Sequence, residues 1–168
     1  MLRGVDVVLR RPTLDDVDDL VRIRRTPEVL RRWRGDEDLE TSVRNDFDDE
    51  STIGYVIVVG ARVAGWIQWG AEHDPDYRHA SVDIYLDPAF HGHGYGTDAI
   101  HTLVRHLIDD HGHHRIVIDP AVDNAAAIRS YTKAGFRPVG VMRRYERDAD
   151  GTWHDGLLMD LVAEDVAD

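Results

Sequence analysis

The chain contains no cysteine, and that absence removes disulfides, thiolate metal sites and cysteine nucleophiles together. Lysine is nearly missing as well: Lys133 stands alone, so almost every positive charge is an arginine. Basic residues are outnumbered, 20 Lys+Arg against 32 Asp+Glu, for a net charge of −12. That disfavours a nucleic-acid partner, because neutralising phosphate is what drives such binding. An acidic surface would instead draw in a cationic substrate, although a GC-rich genome or selection for solubility produces the same arginine-, aspartate- and alanine-rich composition. No apolar run approaches the roughly 20 residues of a membrane span, and none follows Met1 as a leader would, so a soluble, cytoplasmic chain without a membrane partner is expected. Repeats, linkers and low-complexity tracts are lacking too. The 168 residues suit one domain, 1–168, with a single core. Whether it acts as a monomer or a homodimer is left open.

What is present is organised around Asp87-Pro88-Ala89-Phe90-His91-Gly92-His93-Gly94-Tyr95-Gly96-Thr97. Pro88 cannot donate to a ladder and ends the strand-like run Ser81 to Leu86, while Gly92, Gly94 and Gly96 leave a backbone whose amides can turn toward one ligand. Beyond them Ile100, Leu103, Val104, Leu107 and Ile108 fall at helical spacing, one face of a helix running to about Asp110. A glycine-bearing turn that feeds a helix N-terminus suits a phosphate or pyrophosphate. The spacing matches neither the dinucleotide fingerprint nor the P-loop.

Elsewhere the periodicity alternates between strand and helix. Val5 to Arg10 reads as a first strand, Thr13-Leu14-Asp15-Asp16 as a capped helix start, Thr26-Pro27-Glu28 as a second, and Leu39 to Phe47 as a third short helix. Tyr55 to Val59 and Val63 to Trp69, separated by Gly60-Ala61-Arg62, predict a hairpin. Gly70 to Arg78 is a polar loop, Ile116 to Asp119 a short buried strand cut by Pro120, and Asn124 to Gly135 a helix. Two closing strands, about Arg137 to Glu146 and Thr152 to Val162, flank the turn Asp148-Ala149-Asp150-Gly151. This order predicts an α/β (α+β) fold: a mixed central sheet of about seven strands with helices on both faces.

His91-Gly92-His93-Gly94-Tyr95-Gly96 resembles the acetyl-CoA loop of the GNAT acetyltransferase superfamily, Gln/Arg-x-x-Gly-x-Gly/Ala, with His91 where the family has Gln or Arg. Asn124-Ala125-Ala126-Ala127-Ile128-Arg129-Ser130-Tyr131-Thr132-Lys133-Ala134-Gly135-Phe136 resembles that family's Asn-x-x-Ala-x-x-x-Tyr-x-x-x-Gly-Phe. The resemblance implies a GNAT fold and acetyl-CoA as co-substrate. Its cofactor contacts would be Ile84 and Leu86 ahead of the loop, His91, Gly92, His93, Gly94, Tyr95, Gly96 and Thr97 within it, and Asn124, Ala127 and Tyr131 in the second motif. It makes Tyr131 the acid that protonates the departing CoA sulfur. A helix-face aromatic buried in the core is the competing account of Tyr131.

Acetyl transfer to an amine needs a neutral amine, a polarised carbonyl and a proton for the thiolate. Asp83, Asp119 and Asp155 are aspartates in or at the ends of apolar strands, each needing a structural partner or a ligand to offset burial. The contexts of Asp83 and Asp119 resemble the bacterial aminoglycoside 6'-N-acetyltransferases, and Trp33-Arg34-Gly35-Asp36-Glu37 resembles the same enzymes' Trp-Gly-Gly-Glu-Glu region. The implied partner is a small polycationic amine, an aminoglycoside, held by Trp33, Asp83, Asp119 and Asp155, with Asp83 as candidate base. Acetylation of protein N-termini by a Rim-type enzyme is the alternative within the class, and a non-catalytic acetyl-CoA-binding module the alternative outside it. His106, His111, His113 and His114 cluster near a helix end, but with no cysteine and no need for a metal in this chemistry, no metal site is expected.

Overall fold

The computed structural model describes residues 1–33, 38–148 and 150–166. Its strands are β1 (Leu2–Arg3), β2 (Val7–Arg10), β3 (Thr52–Val59), β4 (Arg62–Glu72), β5 (His79–Leu86), β6 (Arg115–Ile118), β7 (Arg137–Arg147) and β8 (Trp153–Val162). Its helices are α1 (Val17–Arg24), α2 (Pro27–Leu30), α3 (Leu39–Asp48), α4 (Tyr95–Asp109) and α5 (Ala125–Lys133). The strands form one mixed eight-stranded sheet in the order β1-β2-β3-β4-β5-β6-β8-β7, flanked by the helices. The strand beyond the expected seven is β1, a two-residue piece with no periodicity of its own that exists because Leu2 and Arg3 pair with Leu9 and Val8. The turn at Ala149 and the segment Arg34 to Glu37 lie outside the described residues.

The chain divides into two compact units, the first made of Met1–Gly70 and Asp83–Leu103. In it β3 and β4 form the expected hairpin, with Tyr55 opposite Ile67 and Val56 opposite Trp66. Residues facing inward from α1 to α3 and from the strands, among them Leu20, Ile23, Val43, Val56, Trp66 and Tyr85, make its apolar core. Phe47 stacks on Trp66 with centroids 5.5 Å apart. Burying charge there requires pairing: Arg24, 1% exposed, donates to Asp46 at 2.9 Å. Asp16 is held by both Arg10 nitrogens, at 2.6 and 2.8 Å, and takes the Thr13 N–H. A less expected tie comes from Asp98 on α4, whose carboxylate accepts the N–H groups of Val5, Asp6 and Val7 at 3.0, 2.7 and 3.0 Å. That one side chain anchors the turn between β1 and β2.

The second unit, Ala71–Val82 and Val104–Asp168, holds the remaining strands. Here β5 runs parallel to β6, pairing at Ala80 with Ile116 and Ser81 with Val117. Strand β8 lies antiparallel to β6, Ile116 opposite Leu161, and carries β7 on its other side. The β7–β8 ladder is broken by irregularities at Pro138/Gly140 and at Met142/Glu146. Ile116, Ile118, Phe136, Met159 and Leu161 are buried in this unit.

Candidate active site

Where β5 gives out, the chain is turned by a carboxylate as well as by proline. The Asp87 N–H still reaches the Ala64 carbonyl at 2.8 Å, and its side chain then caps the single 3-10 turn Pro88–Phe90 by accepting the Ala89 N–H at 2.9 Å. Its other oxygen takes Arg22 of α1 at 2.7 Å. Burial alone would raise the Asp87 pKa, but the Ala89 N–H and the Arg22 guanidinium outweigh it and hold the carboxyl below its ordinary value. Phe90 is buried with the Arg62 guanidinium 4.7 Å above its ring, which fixes the far end of the turn.

The loop that follows is open backbone. Gly92 and Gly94 have φ of +79° and +86°, and an added Cβ at either would meet nothing within 4 Å. Glycine is therefore required there by the left-handed conformation and not by crowding. The Gly94 carbonyl accepts the Asp98 N–H at 2.9 Å, so α4 starts from it. Tyr95, Gly96 and Thr97 form the first helical turn, where amides lack an intrahelical acceptor and carry the positive end of a 15-residue helix. The loop's rings pack locally. His91 turns back so that its Nε2 lies 3.1 Å from the Leu86 carbonyl, and Tyr95 sits between Phe90, edge-on at 6.0 Å, and His93, stacked at 5.7 Å. A glycine turn that feeds the positive end of a helix is an arrangement suited to an anion.

Just ahead of the loop on β5, Asp83 is exposed, Ile84 and Leu86 are half-buried, and Tyr85 is buried in the core. Burial pushes the Tyr85 phenol far above its ordinary pKa, so it is not a proton-transfer group near neutrality. Trp33, beyond α2, packs on the same core and meets Tyr85 edge-on at 4.8 Å. Of the stretch Trp33 to Glu37 it alone is among the described residues.

In the second unit β6 also ends on an aspartate followed by proline. Asp119 is half-buried and accepts the Tyr145 hydroxyl at 2.6 Å. Burial pushes its carboxyl above the ordinary value, and the Tyr145 hydrogen bond opposes that shift without cancelling it. Beyond Pro120 the chain leans on β8, with the Val122 N–H on the Asp155 carbonyl and the Leu157 N–H on the Pro120 carbonyl. Asn124 then caps α5, its Oδ1 accepting the Ala127 N–H at 3.2 Å, so its NH2 group is the end available to a ligand. Ala127 is half-buried and Tyr131 is 9% exposed.

Asp155, expected to meet a substrate, also serves the fold: its Oδ1 accepts the Arg144 N–H at 2.7 Å. Two contacts lie outside the sequence motifs, Arg22 on Asp87 and Tyr145 on Asp119. The signal for the first is the Asp-Pro pair at a strand end. For Tyr145 it is the run Arg143-Arg144-Tyr145-Glu146, which breaks strand alternation. The histidines at the end of α4 pair locally, His106 Nδ1 with Asp110 at 2.6 Å and His106 Nε2 with His111 Nε2 at 3.2 Å. Among the described residues no group of three or more His, Cys, Asp or Glu could hold a metal ion, and no helix is long and apolar enough to cross a membrane.

The sequence profile of the acetyltransferase (GNAT) domain matches residues 6–137. The chain belongs to the GNAT acetyltransferase family, whose co-substrate is acetyl-CoA. An aminoglycoside N(6')-acetyltransferase type 1 of Klebsiella pneumoniae is 29% identical over 155 residues, 81% of this chain and 76% of that one. The N-alpha-acetyltransferase RimI of Mycobacterium tuberculosis is 33% identical over 94 residues, 53% of this chain and 57% of its own. Among solved structures, Mycobacterium smegmatis RimJ in complex with CoA-disulfide superposes with a TM-score of 0.84 at 24% identity, over 99% of this chain and 88% of that one. The length of the curated relatives varies, and the match spans only 28% of another of them.

Proposed function

We propose that this protein is an acetyl-CoA-dependent N-acetyltransferase acting on the 6'-amine of aminoglycosides by direct transfer in a ternary complex, in the cytoplasm. The observation that carries the substrate class is the similarity to an aminoglycoside N(6')-acetyltransferase across 81% of the chain. The carboxylates support it: Asp83 is exposed beside the glycine loop, and Asp119 is half-buried at a strand end, where an ammonium group would offset the cost of ionising it. In this reading the amides of Gly92 to Thr97 hold the CoA pyrophosphate, Ile84 and Leu86 border the pantetheine arm, and the Asn124 NH2 donates to it. Tyr131 donates the proton that the departing thiolate takes up. Asp83 orients the amine or accepts its proton through water, Asp119 binds a second ammonium, and Trp33 supplies an aromatic wall. Asp155, whose Oδ1 supports β7, offers its second carboxylate oxygen to a further ammonium.

A second reading, acetylation of a peptide N-terminus, is favoured by the similarity to RimI and by the exposure of β7, the last strand in the sheet order, along nearly its whole length. Thiol release from acetyl-CoA against kanamycin, tobramycin and a panel of N-terminal peptides decides between them. Turnover with the peptides and none with either aminoglycoside would reverse the assignment.

A further inference from the structure

Between the paired positions Met142/Gly156 and Glu146/His154, β7 supplies three residues, Arg143, Arg144 and Tyr145, where β8 supplies only Asp155. The two extra residues form a bulge. Arg144 has φ of +51°, the one non-glycine among the described residues in the left-handed region. An L-residue adopts that conformation at a cost, so something must hold it there. Asp155 does, by accepting the Arg144 N–H at 2.7 Å. On β8 the next residue is Gly156, and a Cβ at that position would stand 2.9 Å from Cδ1 of Tyr145 and 3.3 Å from Cε of Met142. The missing side chain is what lets the Tyr145 ring lie over the strand. The ring nonetheless remains 48% exposed, and its hydroxyl ends 2.6 Å from Asp119.

A strained residue, a carboxylate spent on one amide and a glycine under a ring all serve one outcome, the delivery of a phenol to the Asp119 carboxylate. Bulges re-aim side chains in this way beside functional sites. From this convergence we infer that Tyr145 is a positioning residue for substrate recognition: it holds Asp119 in one orientation and keeps it an acceptor for a substrate ammonium, while its exposed ring face borders that ammonium. The inference deepens the aminoglycoside reading and rests on it for the identity of the amine. A phenol hydrogen bond fixes one carboxylate oxygen and leaves the second to the cation, and the aromatic face adds an attractive surface for the same charge.

Tyr145→Phe keeps the ring and removes only the hydroxyl. In that variant the Michaelis constant for kanamycin should rise roughly tenfold, the scale of one charge-assisted hydrogen bond, with kcat within about twofold and an unchanged melting temperature. Independently of any substrate, the 13C-detected titration of the Asp119 carboxyl should move to higher pH in Tyr145→Phe than in the wild type. An identical Asp119 titration in the two proteins overturns the inference whatever the substrate proves to be. So does an unchanged Michaelis constant for kanamycin while the wild type acetylates it. If the wild type acetylates no aminoglycoside, the substrate reading fails, and the titration still decides whether Tyr145 sets the state of Asp119.

Discussion

Asp87-Pro88 and Asp119-Pro120 are the same dipeptide at the same kind of place, the end of a strand that hands over toward a helix. Both carboxylates lose water, and their fates are opposite. Asp87 is given an arginine and a backbone N–H, which hold its pKa down and make it a rivet for the glycine loop. Asp119 is given a neutral phenol, which opposes the effect of burial without overcoming it, so its pKa stays raised. The comparison separates a charge paired with a cation from one whose hydrogen-bond partner is neutral. On the proposed function, the aspartate held by a phenol is the better candidate for substrate binding than the one held by an arginine.

The largest expected effect concerns the transfer step, to which neither aspartate is assigned. Tyr131→Phe should lower kcat by about 10² or more, the scale of losing a positioned acid, with little change in melting temperature because the buried ring remains. A retained kcat with a large loss of melting temperature would return Tyr131 to the core. Next, Asp119→Asn should raise the aminoglycoside Michaelis constant by roughly tenfold to a hundredfold, from about 1.5–3 kcal/mol of charge-assisted contact, and leave urea stability nearly unchanged.

Asp87→Asn should do the reverse. We expect about 1–2 kcal/mol lost in urea denaturation, kept modest because Arg22 is half-exposed and can return to water, and only a small effect on the amine Michaelis constant. If the two variants behaved alike, the contrast between the aspartates would collapse.

The pH dependence sharpens the contrast with the sign worked out. The folded Asp87 pKa is depressed, so its contribution to stability is fully present above the unfolded value near about 3.9 and is lost as pH falls through the lower folded value. The folded Asp119 pKa is raised, so its charge disappears on acidification before that of an ordinary aspartate would. The amine Michaelis constant should therefore climb with falling pH while the protein is still fully folded, and Asp119→Asn should flatten that climb. The smallest effect is expected at Gly92: Gly92→Ala meets no neighbour and should cost only about 1 kcal/mol for its left-handed backbone, measured by thermal unfolding.

Much of this is legible in the sequence. The hairpin Tyr55 to Trp69, the buried face of α4 through Ile100, Leu103, Val104 and Leu107, and the end of α5 at Gly135 are local patterns, so periodicity and cap chemistry are enough to read them. The short strand β1 and the 3-10 turn after Asp87 are not, because each exists through a partner distant in sequence or through a single side-chain cap. Asp155 shows the same limit: an aspartate in a strand next to a glycine reads as a candidate ligand, and only the bulge opposite it reveals that its Oδ1 also holds the Arg144 N–H.

The sequence by itself determined the family, the glycine loop, the helix that follows it and the second motif, since spacing within a short stretch carries all of these. Tertiary structure decided which carboxylate is paired with a guanidinium and held below its ordinary pKa and which meets a phenol and is raised above it. That depends on whether Arg22, from a helix 65 residues earlier, or Tyr145, from a bulge 26 residues later, reaches the strand end, and no local pattern encodes such a reach.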